Sequence, residues 1–248
     1  MTRRVALVTG GMGGIGTAVC RKLAQSNGNI VVANCLPGYP QKDAWLAAMH
    51  QAGLGNVHAA EGDVSDFESA AAMVRKVESD VGPVDILVNN AGIVRDNVLK
   101  KMALSEWMAV ISTNLNSVFN VTKHVIDGMT QRGWGRVVNM SSMNGQKGQF
   151  GQANYSAAKA GVHGFAKALA LEVIRKGVTV NSVSPGYVES DMVKSIQKDL
   201  LDKLVAGIPI GRMAQPAEIA ALVAFLASEE AGYITGANIA INGGMYMT

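Results

Sequence analysis

The sequence predicts one α/β domain, a parallel sheet of about seven strands doubly wound with helices on both faces. Three observations carry this reading. Short apolar runs rich in β-branched residues alternate from end to end with longer amphipathic segments, the rhythm of strand and helix units. The short runs are apolar at every position instead of alternating, as strands are when helices cover both sides of a sheet. No Pro/Ser-rich linker, low-complexity stretch or internal repeat divides the 248 residues, a length that one core can serve.

Taken in order, strands are expected at 5–8, 30–33, 57–60, 86–88, 137–140, 178–183 and 239–241, and helices at 15–25, 67–81, 105–131, 154–176 and 216–227. The first strand lies within MTRRVALVTGG, which imitates an export signal by placing two arginines before an apolar run. Glycines cut that run after four apolar residues, so it reads as a strand. Residues 187–213 break the rhythm after the sixth strand and include Met192, Val193, Ile196 and Pro209. An insertion at the carboxyl end of a parallel strand is where such folds carry a cover, and a small lid is expected here.

Composition excludes several classes. Twenty-two basic against nineteen acidic residues leave a net charge of +3 without a basic block, which disfavours a nucleic-acid partner. The longest apolar run, 219–227, falls far short of the roughly 20 residues of a membrane-spanning helix. Cys20 and Cys35 form neither a disulfide framework nor a metal pair, so a reducing, cytoplasmic setting is the simpler expectation. His50, His58, His124 and His163 have no metal-ligand spacing, and neither HExxH nor GxSxG occurs.

Directly after the first strand comes Thr9-Gly10-Gly11-Met12-Gly13-Gly14-Ile15-Gly16, followed by a helical pattern. Glycines let the backbone approach a pyrophosphate closely, and the free N–H groups of the next helix favour an anion. Strand before and helix after is the context of a Rossmann-type dinucleotide site. No lysine followed by Ser or Thr closes the loop, which disfavours a phosphate-loop NTPase. Further on, Tyr155 and Lys159 stand four apart in a helical window and so share a face. A chance exposed pair is the bland alternative. An ammonium near a phenol lowers its pKa from about 10 and makes it a usable acid.

The TGxxxGxG spacing, Asn89-Asn90-Ala91-Gly92 after the fourth strand and the Tyr155/Lys159 pair together resemble the short-chain dehydrogenase/reductase family, in its order and across essentially the whole chain. The resemblance implies hydride transfer from a nicotinamide, with Tyr155 protonating the emerging alkoxide, Ser142 donating to it, Lys159 beside them and Asn114 holding a water that leads toward the lysine. Ser141 competes with Ser142, since alternation lets only one face the site. It implies dinucleotide contacts at Gly10, Met12, Gly14, Ile15, Gly16, Asn34, Lys42, Asp63, Val64, Asn90, Ala91, Gly92, Tyr155, Lys159, Pro185, Gly186, Val188 and Ser190.

The acidic residue that NAD enzymes place after the second strand is absent; Asn34 and Cys35 stand there, so NADP(H) is favoured over NAD(H). Met12 fills one family position for a basic residue, and Lys42 is the nearby cation. The segments MNGQKGQFGQANYSAAKAG and SPGYVESDMVKSI resemble acetoacetyl-CoA reductases. That likeness implies an acyl-CoA partner, with Gln149, Phe150, Gln152 and Tyr187 lining the acetoacetyl pocket. Reduction of a carrier-bound 3-oxoacyl chain is the rival, and Arg132, Arg136, Arg175 and Lys176 are candidates to meet either an acidic carrier or the phosphates of coenzyme A. A regulator that binds dinucleotide without catalysis would show a damaged Ser/Tyr/Lys set, which is intact. The family's usual homotetramer is expected, with helices 105–131 and 154–176 packing between subunits and Gly161 and Gly164 permitting close approach.

Overall fold

The computed structural model describes residues 3–26, 28–189 and 198–247. Seven parallel strands form one sheet in the order β3-β2-β1-β4-β5-β6-β7. They are β1 (Val5–Val8), β2 (Ile30–Cys35), β3 (Val57–Glu61), β4 (Ile86–Asn89), β5 (Gly135–Met140), β6 (Val178–Pro185) and β7 (Asn238–Ile241). All seven expected strands are present in a Rossmann-type arrangement. The chain leaves β1 in one direction to build β2 and β3 and in the other to build β4 through β7, so a crevice opens past the carboxyl ends of β1 and β4.

Successive side chains of a strand face opposite ways, and the core divides accordingly. Ala6, Val8, Ala33, Val138 and Met140 pack under α1 (Gly14–Gln25) and a late helix, Pro216–Leu226, through Val19, Leu23, Ile219, Val223 and Leu226. Val5, Leu7, Val137 and Val180 meet Val74, Val77, Val121, Val125, Met129 and Ala166 on the other face. After β2 the chain forms α2 (Lys42–Gln51), a helix absent from the expectation, which packs on the α1 side through Met49. Then follow α3 (Phe67–Asp80), α4 (Leu104–Ile111), α5 (Ser117–Arg132), the short α6 (Asn144–Lys147) and α7 (Ala153–Val173). Fully buried Leu7 and Val8 each contribute roughly 1.5–3 kcal/mol.

The helix expected over 105–131 is interrupted. Between α4 and α5 lies a π-helical turn, Ser112–Asn116, which holds Asn114 fully buried. Such turns accompany functional sites because they re-aim one side chain without ending the helix. α7 tightens into a 3-10 turn, Ile174–Lys176, and stops where Gly177 adopts φ 72°.

Part of the expected lid is described. Val188 bridges Ala214, Glu189 N–H donates to the Ala214 carbonyl and Ala214 N–H to that of Tyr187, so the two ends of the segment are tied together. Between them stands α8 (Lys198–Ala206), and the late helix Pro216–Leu226 is therefore α9. Met192, Val193, Ile196 and Ser190, with its expected dinucleotide contact, lie outside the described residues.

Candidate active site

The glycine turn is braced from both sides. Thr9 Oγ1 accepts from Asn90 N–H at 2.9 Å and Ala91 N–H at 3.0 Å, and Asn90 Nδ2 donates back to the Thr9 and Gly10 carbonyls at 3.0 Å each. Across the turn, Asn34 Oδ1 accepts from Gly10 N–H at 3.2 Å while its Nδ2 donates to the carbonyls of Gly62 and Cys35. Asn34, expected among the dinucleotide contacts, is 2% exposed and its amide is committed at both ends to holding the loop. The Met12 side chain packs into the core beneath the loop. α1 begins after Gly13 without a side-chain cap on its first amides, leaving the end that favours an anion.

The space above this loop is kept by glycines. A Cβ on Gly16 would overlap the Gly10 carbonyl oxygen and stand 2.9 Å from Gly11 Cα. One on Gly92 would lie 3.3 Å from Asn114 Oδ1 and 3.5 Å from Lys159 Nζ. These are the marks of a cradle that a dinucleotide fits, from the pyrophosphate at α1 to a flat ring near Lys159. Asp63, expected at the adenine, folds its Oδ1 onto Ser65 N–H and Oγ at 2.9 and 2.7 Å, shaping the turn into α3, and Val64 beside it is buried. Pro185 ends β6, and Gly186 N–H bonds the Ile241 carbonyl, which sets the floor from which Tyr187 and Val188 depart.

β5 delivers the serines and α7 the tyrosine and lysine. Ser141 Oγ donates to the Lys159 carbonyl at 2.8 Å and is spent on packing α7 to the strand. Ser142 faces the other way: its Oγ accepts from Asn144 N–H at 3.1 Å, and its hydroxyl lies close enough to Tyr155 to draw the phenol down. Geometry therefore brings Ser142, not Ser141, to the phenol. Lys159 is 4% exposed and donates from Nζ to the Met140 carbonyl at 2.7 Å, with Nζ 5.7 Å from the Tyr155 ring. Gly145 makes this contact possible, for a Cβ there would come 2.7 Å from the Lys159 carbonyl carbon.

The electrostatics depart from expectation. Burial pushes the Tyr155 phenol above its ordinary value, the Ser142 hydrogen bond draws it down, and the Asp96 carboxylate raises it. Burial also lowers Lys159 to about 8. Without a dinucleotide, desolvation outweighs the attraction expected between the two, because the ammonium is turned toward Met140. Asn114 differs too. Its Oδ1 accepts from Ile93 N–H at 2.7 Å and its Nδ2 donates to the Ile93 carbonyl at 2.8 Å, so the amide pins the loop after β4.

Behind the serine runs a polar chain, of which Asp96 and Asn144 escaped the sequence reading. Gln152 Nε2 donates to Asp96 Oδ2 at 2.9 Å, Asn144 Nδ2 donates to Gln152 Oε1 at 2.9 Å, and Asn144 N–H reaches Ser142. Asp96 accepts only, so it fixes which way the Gln152 amide points and, through it, that of Asn144. Gln152, expected in the substrate pocket, is thereby engaged at both ends. Gln149 and Phe150 line a cleft of about 300 Å³ with Asn97, Val98 and Leu99, Phe150 being 87% exposed. Tyr187 lines a separate cleft with Ile208, Ile210 and Arg212, so the four expected pocket residues do not share one wall. Thr9 and Asn144 sat inside motifs already singled out; Asp96 was signalled only by its place past a strand end.

The basic residues considered for docking lie away from the serine and the tyrosine. Arg136 opens β5, is 4% exposed and donates to the carbonyls of Ser228 and Gly135, with Trp134 stacked against it. Arg132 Nη2 donates to the Val84 carbonyl at 2.6 Å and pairs with Asp85. Arg175 and Lys176 precede β6. All four belong to the amino end of the sheet, and six residues of strand at about 3.3 Å each separate Arg136 from Ser142. Exposed cations at the carboxyl edge are Arg95, Lys100, Lys101 and Lys147, neighbours of the residues lining the larger cleft.

A family model described as short chain dehydrogenase matches residues 4–201. The chain is similar to an acetoacetyl-CoA reductase of Cupriavidus necator, 59% identical over 247 residues and 100% of both chains. It is also similar to nodulation protein G of Azospirillum brasilense, 56% identical over 99% of each. A 3-oxoacyl-acyl-carrier-protein reductase of Pseudomonas aeruginosa is 44% identical over 99% of this chain and 98% of the relative. The chain belongs to the short-chain dehydrogenase/reductase family and is an NAD(P)-dependent oxidoreductase. Among the described residues no helix is long and apolar enough to cross a membrane, and no group of acidic, histidine or cysteine side chains could hold a metal ion.

Proposed function

We propose that this enzyme reduces the 3-keto group of acetoacetyl-CoA to (R)-3-hydroxybutyryl-CoA, the step that supplies polyhydroxybutyrate synthesis, with NADPH preferred over NADH. The observation that carries the chemistry is the gathering of Ser142, Tyr155 and the buried ammonium of Lys159, whose Nζ lies 5.7 Å from the Tyr155 ring, at the carboxyl edge of the sheet. The likeness to an acetoacetyl-CoA reductase at 59% identity, against 44% for a carrier-protein reductase, supports the substrate.

A bound nicotinamide supplies the hydride. Negative charge then grows on the ketone oxygen, and two donors stabilise it: Ser142 Oγ–H, whose acceptor side is taken by Asn144 N–H, and the Tyr155 phenol. Tyr155 gives its proton to the oxygen, and the high phenol pKa in the buried site keeps that proton in place until the alkoxide, a stronger base, forms. Lys159 holds positive charge near the resulting phenolate. Asn114 and Gly92 keep the floor of the ring site flat.

Arg95, Lys100, Lys101 and Lys147 would meet the phosphates of coenzyme A, or an acidic carrier in the rival reading. The proposal includes a single catalytic domain over residues 1–248 with residues 187–213 as its cover, a cytoplasmic setting and a homotetramer. Exposed Leu104, Met108, Phe119 and Leu171 on α4, α5 and α7 support burial between subunits, whereas Gly161 serves contact within the chain, its Cβ position lying 3.0 Å from Leu115.

The test follows cofactor oxidation with acetoacetyl-CoA and with acetoacetyl carrier protein, each with NADPH and NADH. The expected result is a much higher kcat/KM for the CoA thioester and NADPH, and a loss of about 10²–10⁴ in kcat in Tyr155→Phe with dinucleotide binding retained. Preference for the carrier overturns the substrate, and an active Tyr155→Phe overturns the chemistry.

A further inference from the structure

Past the ends of β2 and β3 the structure holds an anion site filled from within. Gly38, at φ 69°, turns the loop after β2 so that its N–H donates to Glu61 Oε2 at 3.1 Å. Lys42, at the start of α2, donates from Nζ to Glu61 Oε1 at 2.6 Å. Glu61 is the last residue of β3 and stands in register with Cys35, the last of β2. This is the place where a dinucleotide fold puts the 2′ position of the adenosine ribose. An ammonium and a backbone amide aimed at one point are the donors that clasp a phosphate. Here they clasp a carboxylate of the chain itself.

The pair is tight yet releasable. The hydrogen bond from Lys42 draws the Glu61 carboxyl below its ordinary range, and the same bond raises Lys42. Both side chains remain accessible, at 32% for Lys42 and 37% for Glu61, so packing locks neither of them. Asp43 lies 3.8 Å from the ammonium and does not share the Gly38 amide.

We propose that Glu61 competes from within for the site of the 2′-phosphate and so sets how strongly the enzyme distinguishes phosphorylated from unphosphorylated adenosine. Lys42 and Gly38 N–H bind either the Glu61 carboxylate or the phosphate. An incoming phosphate displaces the carboxylate, and the displaced charge opposes its binding. The inference rests on the reading that NADP(H) is the preferred cofactor, and it names the residue that limits that preference.

The experiment is titration calorimetry of wild type, Glu61→Gln, Glu61→Ala and Lys42→Ala with adenosine 2′,5′-bisphosphate and with 5′-AMP. Removing one negative charge a few ångströms from a phosphate near the protein surface is expected to tighten the bisphosphate about tenfold in both Glu61 variants and leave 5′-AMP unchanged. Lys42→Ala is expected to weaken the bisphosphate alone. Unchanged or weaker bisphosphate binding in the Glu61 variants overturns the proposal. So does a change confined to 5′-AMP, which would make Glu61 an acceptor for the ribose hydroxyl. A wild-type preference for the bisphosphate, lost in Lys42→Ala but untouched at Glu61, ends the proposal and leaves the NADP reading standing. Equal affinity for both probes in wild type and Lys42→Ala removes that reading itself.

Discussion

Gly16→Ala tests whether the glycine turn is held by close approach or only by local preference, because the two give opposite signs. Gly16 lies in the first turn of α1, where alanine is intrinsically better than glycine by about 1 kcal/mol, so without a clash the variant should gain stability. The structure puts a Cβ there into the Gly10 carbonyl oxygen, 2.9 Å from Gly11 Cα and 3.0 Å from Asn90 Nδ2. Restoring ordinary contact requires the Gly10–Gly11 backbone to retreat by about 1 Å. That movement stretches the bonds from Gly10 N–H to Asn34 Oδ1, now 3.2 Å, from Asn90 Nδ2 to the Gly10 carbonyl, now 3.0 Å, and from Gly11 N–H to the Asn34 carbonyl, now 3.0 Å. Weakening two or three bonds of about 1 kcal/mol each outweighs the propensity gain and leaves a net loss of roughly 1–2 kcal/mol. The amides of the turn move by the same distance, so dinucleotide affinity is expected to fall at least tenfold. Urea unfolding and calorimetric titration with dinucleotide read both effects. Gly13→Ala is the stability control, since its nearest neighbour would be an ordinary 3.6 Å away. A Gly16→Ala protein as stable as wild type, with unchanged affinity, refutes the reasoning.

Two further outcomes follow from the charges at the site. Lys159 is lowered to about 8 by burial, so between pH 8 and its ordinary 10.5 the unfolded chain binds the proton that the folded one has lost. Stability of the dinucleotide-free enzyme should therefore rise with pH from 8 toward 10, by at most about 2.7 kcal/mol from this group. Urea unfolding at pH 7.5 and 9.5 should show the gain in wild type and not in Lys159→Met; the same slope in both would refute the assignment. Burial and then the Asp96 carboxylate hold the phenol of Tyr155 high, so Asp96→Asn should move the rise of the alcohol-oxidation rate with pH, where phenolate is the base, to lower pH. Asparagine can still accept from Gln152, so an unmoved profile would show that Asp96 acts through shape alone.

The seven strands were legible because each is a short apolar run, a consequence of helices covering both faces. α2 was not, and its burial explains the silence: of Lys42–Gln51 only Met49 is buried, so no apolar stripe marks it as a helix. The π turn at Ser112–Asn116 shifts the hydrophobic phase by one residue, too little for periodicity to register, yet it aims Asn114 at Ile93. Motif spacing singled out Ser142, Tyr155 and Lys159, which the fold brings near one another, because the proposed chemistry needs those residue types. It could not show that Asn34 ties Gly10 to Gly62, because a polar residue near the end of β2 looks the same in sequence whatever its amide bonds to.

The misplaced basic residues were a different kind of miss, since the signal was present. In an all-parallel sheet every strand starts at one edge and ends at the other. A residue just before a strand, as Arg175 and Lys176 stand before β6, or at its first positions, as Arg136 does in β5, therefore belongs to the edge opposite the site. Residues just after a strand belong to the site edge: Asn90 to Gly92 after β4, Ser142 after β5, Tyr187 after β6 and the loop from Leu36 to Lys42 after β2. That rule needs only the order of elements and their direction. It sets Arg132, Arg136, Arg175 and Lys176 at the edge away from Ser142 and Tyr155, and Arg95, Lys100, Lys101 and Lys147, which follow β4 and β5, at the edge that holds them.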